Sequence, residues 1–248
     1  MCDRNSPILY QGQRTLRTWW PFPADILAAR EMTTSAKTGQ PQRQQQDPDA
    51  FVRLGGWLFQ WRTWLPLPVA LALLLVPPRP SSRSLLLTGA VVVGAGELLR
   101  LWAVRHIGVI SRTRSDRLGP LISTGPFEWV RNPLYIGNLA LWVGFTLSAG
   151  LVWLLPPIVI LLASEYHAIV RWEEGLLGKR LGDAYRLYAS RVPRWMPRGS
   201  SGGGARSHVS HDAGRTFSWA ETLFSERGTL VAIGAGYFLL WVKHQIWI

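Results

Sequence analysis

The segment LYIGNLALWVGFTLSAGLVWLL, residues 134–155, runs for 22 residues without a charged side chain. An α-helix rises about 1.5 Å per residue, so about 20 apolar residues cross a bilayer core of roughly 30 Å. A second run, residues 85–104, is interrupted only by Glu97 and Arg100. These two segments are long enough to span a membrane, and they decide the fold class.

Three further apolar runs, which are shorter or interrupted, lie at residues 57–76, 156–172 and 229–248. The 248-residue chain is 48% hydrophobic but only 17% charged, whereas a typical soluble domain is about 25% charged. So few charges cannot coat several helices that are apolar on all sides, which argues against a soluble protein with buried core helices. The sequence therefore predicts an all-α integral membrane bundle of about five transmembrane helices.

The basic residues predict the orientation of this bundle. Lys and Arg number seven in residues 1–53, two in 77–84, five in 105–133 and ten in 171–228. Because cytoplasmic loops of membrane proteins carry the excess of Lys and Arg, the N-terminus is predicted to be cytoplasmic. The net charge of +12 lies on alternate loops rather than on one face, so no nucleic-acid partner is expected.

The chain divides by composition into four parts. We predict a flexible tail over 1–52, a membrane domain over 53–198, a Gly/Ser-rich linker and short segment over 199–228, and a C-terminal transmembrane helix over 229–248. The tail has no apolar run of the signal-peptide kind. Arginine makes up 24 of the 27 basic residues, a composition typical of a GC-rich bacterial genome, and the bacterial inner membrane is the predicted location.

No metal site is expected. Cys2 is the single cysteine, which excludes a disulfide scaffold and a cysteine-based zinc site. His208 and His211 lie three residues apart in the predicted linker, without a third ligand nearby, and such a pair is more often simply polar.

The motif GPFEWVRNPLYIG, residues 125–137, leads into the third predicted helix. Asn132 followed by Pro133 is typical of an N-cap and first helical position, which places Arg131, Asn132 and Tyr135 at the cytoplasmic end of the bundle. Two interpretations remain open. Arg131 can simply reach toward lipid phosphates, or the free N–H groups of the helix start can bind an anionic group.

A second polar group ends the fourth predicted helix. His167 shares a helix face with Arg171 and with Glu174 by its spacing of four and seven residues. Two adjacent acids, Glu173 and Glu174, oppose the macrodipole near a helix C-terminus, so a positive group is expected to compensate them. A cationic ligand and an Arg from a neighbouring loop are the two alternatives.

Two shorter patterns complete the polar features. Residues 181–197 predict a short amphipathic helix and then a chain stop, with Trp195 and basic side chains resting on the membrane surface. Glu97 and Arg100, three residues apart, predict an ion pair inside the membrane with a structural role.

Taken in order, these motifs resemble the membrane methyltransferases that include isoprenylcysteine carboxyl methyltransferase and the phospholipid methyltransferases. The matching pieces are RHIGVISRTR (105–114), LISTGPFEWVRNPLYIGN (121–138) and EYHAIVRWEEGLLGKRLGDAYRLYASRVPRW (165–195). The resemblance covers residues 97–198. It implies an integral membrane enzyme that holds S-adenosylmethionine in a cytoplasmic pocket made by helix ends and the C-terminal segment.

Carried over by position, the resemblance implies a cofactor-binding set and a catalytic set. The cofactor-binding residues would be Leu121, Ile122, Gly125, Phe127, Asn132, Pro133, Tyr135, Glu173 and Glu174. The catalytic residues would be Arg131, His167 and Arg171. Two positions depart from the prenylcysteine enzymes, which usually have His where this chain has Asn132 and Arg where it has Ile169.

The implied activity is methyl transfer to a lipid or lipophilic small molecule, either to a carboxylate oxygen or to an amine. A carboxylate acceptor needs no base, whereas an amine must lose a proton, and His167 is the base candidate by residue type. Glu173 or Glu174 would pair with the amino group of the cofactor, and Arg131 or the helix start at Asn132 with its carboxylate. A non-catalytic membrane scaffold or lipid-binding accessory protein is the alternative, and the oligomeric state stays open.

Overall fold

The computed structural model describes residues 50–77, 83–113, 121–197 and 217–247, which all lie in one compact unit, Asp47–Ile248. Within these ranges the chain forms helices and turns and no β-strand, so the all-α class is confirmed. The described α-helices are Ala50–Trp61 (α1), Leu67–Leu75 (α2), Arg83–Thr113 (α3), Pro133–Ser148 (α4), Leu155–Leu181 (α5), Asp183–Arg191 (α6) and Trp219–Trp247 (α7). Most of the predicted tail, and the linker with His208 and His211, lie outside the described residues.

Two described segments are long and apolar enough to cross a membrane. They are Arg83–Ile107, with 25 residues, and Val152–Leu181, with 30 residues. Only 28% and 33% of their apolar windows are buried inside the protein, whereas a core helix of a soluble protein is mostly buried. Of the five predicted spans, 85–104 and 156–172 thus lie in membrane-length helices, whereas 134–155 does not form one, because α4 has only 16 residues.

The predicted helix over 57–76 is wrong as a single helix. α1 ends at Trp61, and a turn of five residues separates it from α2. Pro66 stands at the N-cap of α2 and Pro68 in its first turn. Proline lacks the backbone N–H and is tolerated only where a helix begins, so these two prolines force a new helix start.

The ends of α4 and α5 differ from the predicted ones, and each difference has a cause close by in the sequence. α4 ends at Ser148, where a run to 155 was predicted, because Gly150 adopts φ +71° and turns the chain. α5 then continues to Leu181, beyond the predicted end at Trp172, and the chain turns at Gly182 with φ +55°.

α7 begins ten residues before the predicted start at Thr229. Its first residues are fixed by a reciprocal pair of hydrogen bonds. The Ser218 N–H donates to Glu221 Oε2 at 2.9 Å, and the Glu221 N–H donates to Ser218 Oγ at 3.2 Å. This is a capping box, which satisfies two backbone donors at a helix start.

α3 and α4 pack against each other antiparallel through four glycines. A Cβ on Gly89 would lie 2.5 Å from the Gly144 carbonyl oxygen, and one on Gly96 would lie 2.9 Å from the Gly137 carbonyl oxygen. Small residues at a membrane helix interface let the two backbones approach closely. The four glycines therefore set the spacing of the two helices.

The ion pair predicted in α3 is present and extends to α7. Arg100 Nε donates to Glu97 Oε2 at 3.2 Å, and Arg100 Nη2 donates to Glu226 Oε2 at 2.6 Å and to Thr229 Oγ1 at 2.9 Å. Arg100 Nη1 also donates to the side-chain oxygen of Asn138 in α4. One buried guanidinium thus ties α3, α4 and α7 together.

Replacing Gly89 with Ala should destabilise the bundle, because the added Cβ would meet backbone atoms of α4 that cannot move without shifting the helix. Overpacking of this kind costs about 1–3 kcal/mol. Thermal unfolding of the detergent-purified protein measures the effect.

Gly94→Ala in the same helix is the matched control, because a Cβ there meets nothing within 4 Å. That variant should keep or slightly raise the melting temperature, since alanine favours the helix by up to about 1 kcal/mol. Equal melting temperatures for the two variants would contradict the close packing of α3 on α4.

Candidate functional site

The start of α4 is bound by the chain segment that follows α6. Asn132 occupies the N-cap position before Pro133, as predicted, but its side chain makes no capping hydrogen bond. Instead, Asn132 Nδ2 donates to the Arg194 carbonyl at 3.3 Å, and the Arg131 N–H donates to the Pro193 carbonyl at 2.9 Å. The backbone of residues 193 and 194, directly after α6, is thereby held against the start of α4.

Glu174 forms the centre of a polar cluster at the start of α4. We call this group, made of Arg131, Asn132, Tyr135, Glu173, Glu174 and Arg194, the cluster. Its carboxylate binds Arg131 Nη1 at 3.0 Å and Arg194 Nη2 at 2.6 Å, and its side chain is only 12% exposed. Hydrogen bonding to this carboxylate raises the pKa of Arg194. Of the two sequence-based alternatives for the compensating charge, arginines outside α5 are the ones observed.

Glu173 lies beside Glu174 in the chain but binds a different helix. The Tyr135 hydroxyl donates to Glu173 Oε2 at 3.0 Å. The Tyr135 ring in turn packs against Tyr166, with ring centroids 5.3 Å apart. The two adjacent carboxylates therefore contact separate partners, one a pair of guanidinium groups and the other a phenol.

The turn Gly125–Glu128 is held in place from two sides. The Tyr188 hydroxyl of α6 donates to the Phe127 carbonyl at 2.9 Å, and burial raises the pKa of Tyr188. Gly125 has φ +60°, and a Cβ there would lie 2.4 Å from His106 Nε2. Positive φ and this close approach require glycine at position 125, so the residue shapes the turn.

The remaining predicted residues lie around this cluster. Trp195 Nε1 donates to His167 Nδ1 at 3.3 Å, and the Phe51 ring of α1 lies 6.0 Å from the His167 ring. The exposed Arg171 guanidinium lies 5.8 Å from the same Phe51 ring. Four other residues of the predicted cofactor-binding set are apolar. Leu121 and Ile122 are half-buried before the Gly125–Glu128 turn, and Phe127 and Pro133 are buried.

The structure thus brings together Arg131, Asn132, Tyr135, Glu173 and Glu174. The sequence analysis missed the role of Arg194, whose guanidinium binds Glu174. Trp195 and Arg194, in the segment predicted to rest on the membrane surface, both contact α5. The signal that could have found Arg194 is its position in the VPRW motif, residues 192–195, directly after the end of α6.

A cavity of about 340 Å³ lies next to the cluster and shares Tyr135 with it. We refer to it as the chamber. Its polar lining includes Arg62, Arg100, Asn138, Tyr166 and Thr229. Asn132, Glu173 and Glu174 are not among its described lining residues, and Tyr135, whose hydroxyl donates to Glu173, is the residue that the cluster and the chamber share.

One donor of the cluster has no partner in the described part of the chain. Arg131 Nε is buried and makes no hydrogen bond there. An unsatisfied buried donor of a charged group costs free energy, and an anionic ligand at the cluster would offset that cost.

The central part of the chain matches a known family of membrane enzymes. Residues 85–184 match the family model for phospholipid methyltransferase. The resemblance that the sequence motifs carry is therefore confirmed for this segment, and it points to a membrane methyltransferase in general terms. No solved structure matches the chain.

Two relatives match a similar length of sequence. The nickel-cobalt-cadmium resistance protein NccN of Alcaligenes xylosoxydans xylosoxydans is 30% identical over 117 residues, which cover 47% of this chain and 52% of that protein. The cobalt-zinc-cadmium resistance protein CzcN of Cupriavidus metallidurans is 26% identical over 114 residues, which cover 46% and 50%. The chain spans about half the length of the curated relatives it matches.

Replacing Glu174 with Gln should lower stability by about 3 kcal/mol, because it leaves the guanidinium groups of Arg131 and Arg194 close together without their carboxylate. A shift of the thermal unfolding midpoint reports the loss.

Asp183→Asn is the control, because Asp183 pairs with Arg186 at 2.9 Å but its side chain is 94% exposed. An exposed pair contributes little, so this variant should unfold at nearly the wild-type temperature. If Glu174→Gln also unfolds at nearly the wild-type temperature, the cluster does not hold residues 193–194 against α4.

Proposed function

We propose that this protein is a membrane-embedded methyltransferase that moves a methyl group from S-adenosylmethionine to a lipid or lipophilic acceptor. The observation that carries the proposal is the pair of guanidinium groups that Glu174 holds together. Glu174 and Arg131 lie inside the segment 85–184 that matches the phospholipid methyltransferase family, and Arg194 lies ten residues beyond its end. The reaction would take place at the cytoplasmic end of a bundle of about five helices.

The cluster residues fit the charges of this cofactor. Its carboxylate matches Arg131 and Arg194, and the orphaned Arg131 Nε supplies a further donor. The first-turn N–H groups of α4 are not capped by the Asn132 side chain, so they favour the same anion. The cofactor would supply the activated methyl group, and the protein would bind it and hold its orientation.

The two acids take different roles in this proposal. Glu174 is already bound by two arginines, so we assign it the positioning of Arg131 and Arg194 rather than a direct contact with the cofactor. Glu173 has one described partner, the Tyr135 hydroxyl, and we assign it the amino group or a ribose hydroxyl. Water exclusion by the surrounding half-buried side chains would strengthen both contacts.

The remaining predicted site residues would shape the pocket. Leu121, Ile122, Gly125 and Phe127 would form the wall on the side of the Gly125–Glu128 turn, and Pro133 fixes the start of α4. His167 and Arg171 both contact Phe51, so we assign them the positioning of α1 and Trp195. Because positioning supplies much of the rate of an in-line displacement, such roles affect turnover as well as stability.

Binding of S-adenosylhomocysteine tests the cofactor assignment. At 100 times its dissociation constant, this ligand should stabilise the detergent-purified protein by about 2.7 kcal/mol, visible as a raised melting temperature. Arg194→Ala should weaken binding more than tenfold in isothermal titration, because it removes one guanidinium from the anion site.

Arg186→Ala provides the matched control, since Arg186 is 67% exposed and pairs only with exposed Asp183 among its described contacts. It should bind the ligand as the wild type does. No thermal shift at millimolar ligand, with anionic lipid stabilising the protein instead, would favour a non-catalytic lipid-binding scaffold.

The native Cys2 tests the proposed cytoplasmic N-terminus in the bacterial inner membrane. A membrane-impermeant maleimide should label it only after cells are permeabilised, because the tail would lie inside. In a Cys2→Ser background, Val152→Cys should label in intact cells, since Val152 is 42% exposed in the turn at the opposite end of α4. Labelling of Cys2 in intact cells would reverse the proposed orientation.

A further inference from the structure

The end of α3 on the proposed cytoplasmic side carries an arginine that belongs neither to the cluster nor to the chamber. Arg105 lies two residues before the end of the membrane-length segment Arg83–Ile107, and it is not among the described lining residues of the chamber. A side chain at the end of a membrane span lies at the level of the lipid head groups. Arg105 therefore marks a separate position on the protein.

The start of α7 holds this arginine in place. The Phe217 N–H donates to the Arg105 carbonyl at 2.9 Å, which joins the two parts of the chain. The Arg105 guanidinium lies over the Trp219 ring, with its Cζ atom 4.3 Å from the ring centroid. A guanidinium over an aromatic face gains cation–π attraction, and the N–H groups in its plane remain able to donate.

The described part of the chain does not use these donors. Arg105 Nε is buried and has no hydrogen-bond partner among the described residues. The nearest acid along α7, Glu221, accepts from the Ser218 N–H in the capping box, and the exposed Glu128 forms no ion pair with Arg105. Because an unsatisfied buried donor of a charged group costs free energy, the position favours an anionic ligand.

The surface beside Arg105 is apolar. Trp219 is 53% exposed, and Leu223 and Phe224, one turn further along α7, are exposed as well. The residues that this part of α7 buries against the bundle are polar, Thr222 and Glu226. Since α7 turns polar side chains inward and apolar ones outward, its outer face suits acyl chains. Donors for an anion and an apolar surface thus lie side by side.

The phosphate group is the anion that every phospholipid presents at the level of the head groups. Guanidinium groups bind phosphate oxygens through two parallel N–H donors, and tryptophan is enriched at the membrane–water interface. Basic pockets between membrane helices bind lipid head groups. A free phosphate ion would meet the same donors, but it would leave the exposed apolar face of α7 unused.

We propose that Arg105 and Trp219 form a binding site for the phosphate group of a membrane phospholipid, where α3 meets α7. The phosphate oxygens accept from the Arg105 guanidinium, and an acyl chain lies along Trp219 and Leu223. α7 lies outside the segment 85–184 that matches the family, so the site depends on a helix that the family model does not cover. It is independent of the cofactor assignment.

A lipid bound at this site would join α3 to α7 near their ends. Deeper in the bundle, Arg100 of α3 already binds Glu226 and Thr229 of α7. A ligand that binds only the folded protein stabilises it. Occupancy of the site should therefore raise the melting temperature of the protein.

Three probes, added to the full-length protein in lipid-free detergent, identify the ligand. Phosphatidylglycerol has both phosphate and acyl chains, diacylglycerol has the chains alone, and inorganic phosphate has the anion alone. Native mass spectrometry should detect the first bound phosphatidylglycerol at concentrations at least tenfold below those that diacylglycerol needs. Phosphatidylglycerol should raise the melting temperature, whereas inorganic phosphate at the same concentration should leave it unchanged.

Arg105→Gln should weaken binding of the first phosphatidylglycerol at least fivefold, because it removes the charge and the paired donors. Arg105→Lys keeps the charge without the planar fork and should restore only part of the affinity. In lipid-free detergent Arg105→Gln should unfold near the wild-type temperature, since its guanidinium makes no hydrogen bond to the described residues. If that variant does not fold, Trp219→Leu removes the aromatic face alone and should weaken phosphatidylglycerol at least threefold.

Arg227→Gln is the matched control on α7. The Arg227 guanidinium also lies over an aromatic ring, 3.8 Å from the Phe224 centroid, but its side chain is exposed. An exposed arginine keeps its donors in water whether or not a lipid is bound. Arg227→Gln should therefore bind the first phosphatidylglycerol within twofold of the wild type.

The results distinguish this site from its alternatives. Equal phosphatidylglycerol binding by wild type, Arg105→Gln and Trp219→Leu would overturn the site. Equal losses for Arg105→Gln and Arg227→Gln would overturn it too, because they would indicate attraction to basic charge in general. Stabilisation by inorganic phosphate as strong as that by phosphatidylglycerol would assign the donors to a free anion instead of a lipid.

S-adenosylhomocysteine binding, measured on the same proteins, separates this proposal from the methyltransferase. If the wild type does not bind S-adenosylhomocysteine but phosphatidylglycerol binding depends on Arg105, the lipid site stands and the methyltransferase falls. If S-adenosylhomocysteine binds and phosphatidylglycerol binding does not depend on Arg105, the methyltransferase stands and the lipid site falls.

Discussion

A carboxylate near the end of a membrane-length helix must find positive partners, because an unpaired charge at that depth is costly. Glu174 binds two guanidinium groups, one that precedes α4 and one that follows α6. The same contact brings the backbone of 193–194 against 131–132. Without this carboxylate the two arginines would repel each other, which would weaken the attachment of residues 193–194 to the start of α4. Glu174 thus joins three parts of the chain: α5, the start of α4 and the segment after α6.

Apolar runs predicted one of the two membrane-length helices well, since 85–104 lies inside Arg83–Ile107. The longest uncharged run, 134–155, forms the 16-residue α4 and a turn instead, and the second membrane-length segment, Val152–Leu181, contains the shorter run 156–172. Apolar runs were not enough to locate helix starts and breaks. The break before α2 depends on Pro66 and Pro68, which a count of apolar residues treats as neutral. The start of α7 depends on Ser218 and Glu221, polar residues that lower hydropathy but cap the helix. Backbone hydrogen bonding, rather than hydrophobicity, decides these boundaries.

Local spacing predicted the components of the site but not their partners. Asn132 before Pro133 and the adjacent acids of α5 are patterns within a few residues of sequence. The partner of Glu174, Arg194, lies 20 residues away, and the partner of Arg100, Glu226, lies 126 residues away. Such pairs depend on how helices pack, which composition and periodicity do not determine. The expected positive partner of the two acids is present, but the reason given from the helix dipole was wrong. α5 continues to Leu181, about two turns beyond Glu174, whereas the dipole acts within the last turn.

Tyr135 lies where the cluster meets the chamber on α4. Tyr135, Asn138 and Trp142 follow one face of α4 and line the chamber, whereas Arg131 and Asn132 precede that face and lie in the cluster. Because the Tyr135 hydroxyl donates to Glu173, its ring is held at the boundary between the two. Under the proposed function, the methyl donor and the acceptor must come into direct contact for in-line transfer. The Tyr135 ring, held by Glu173 and packed against Tyr166, would then limit how closely a molecule in the chamber approaches one bound at the cluster.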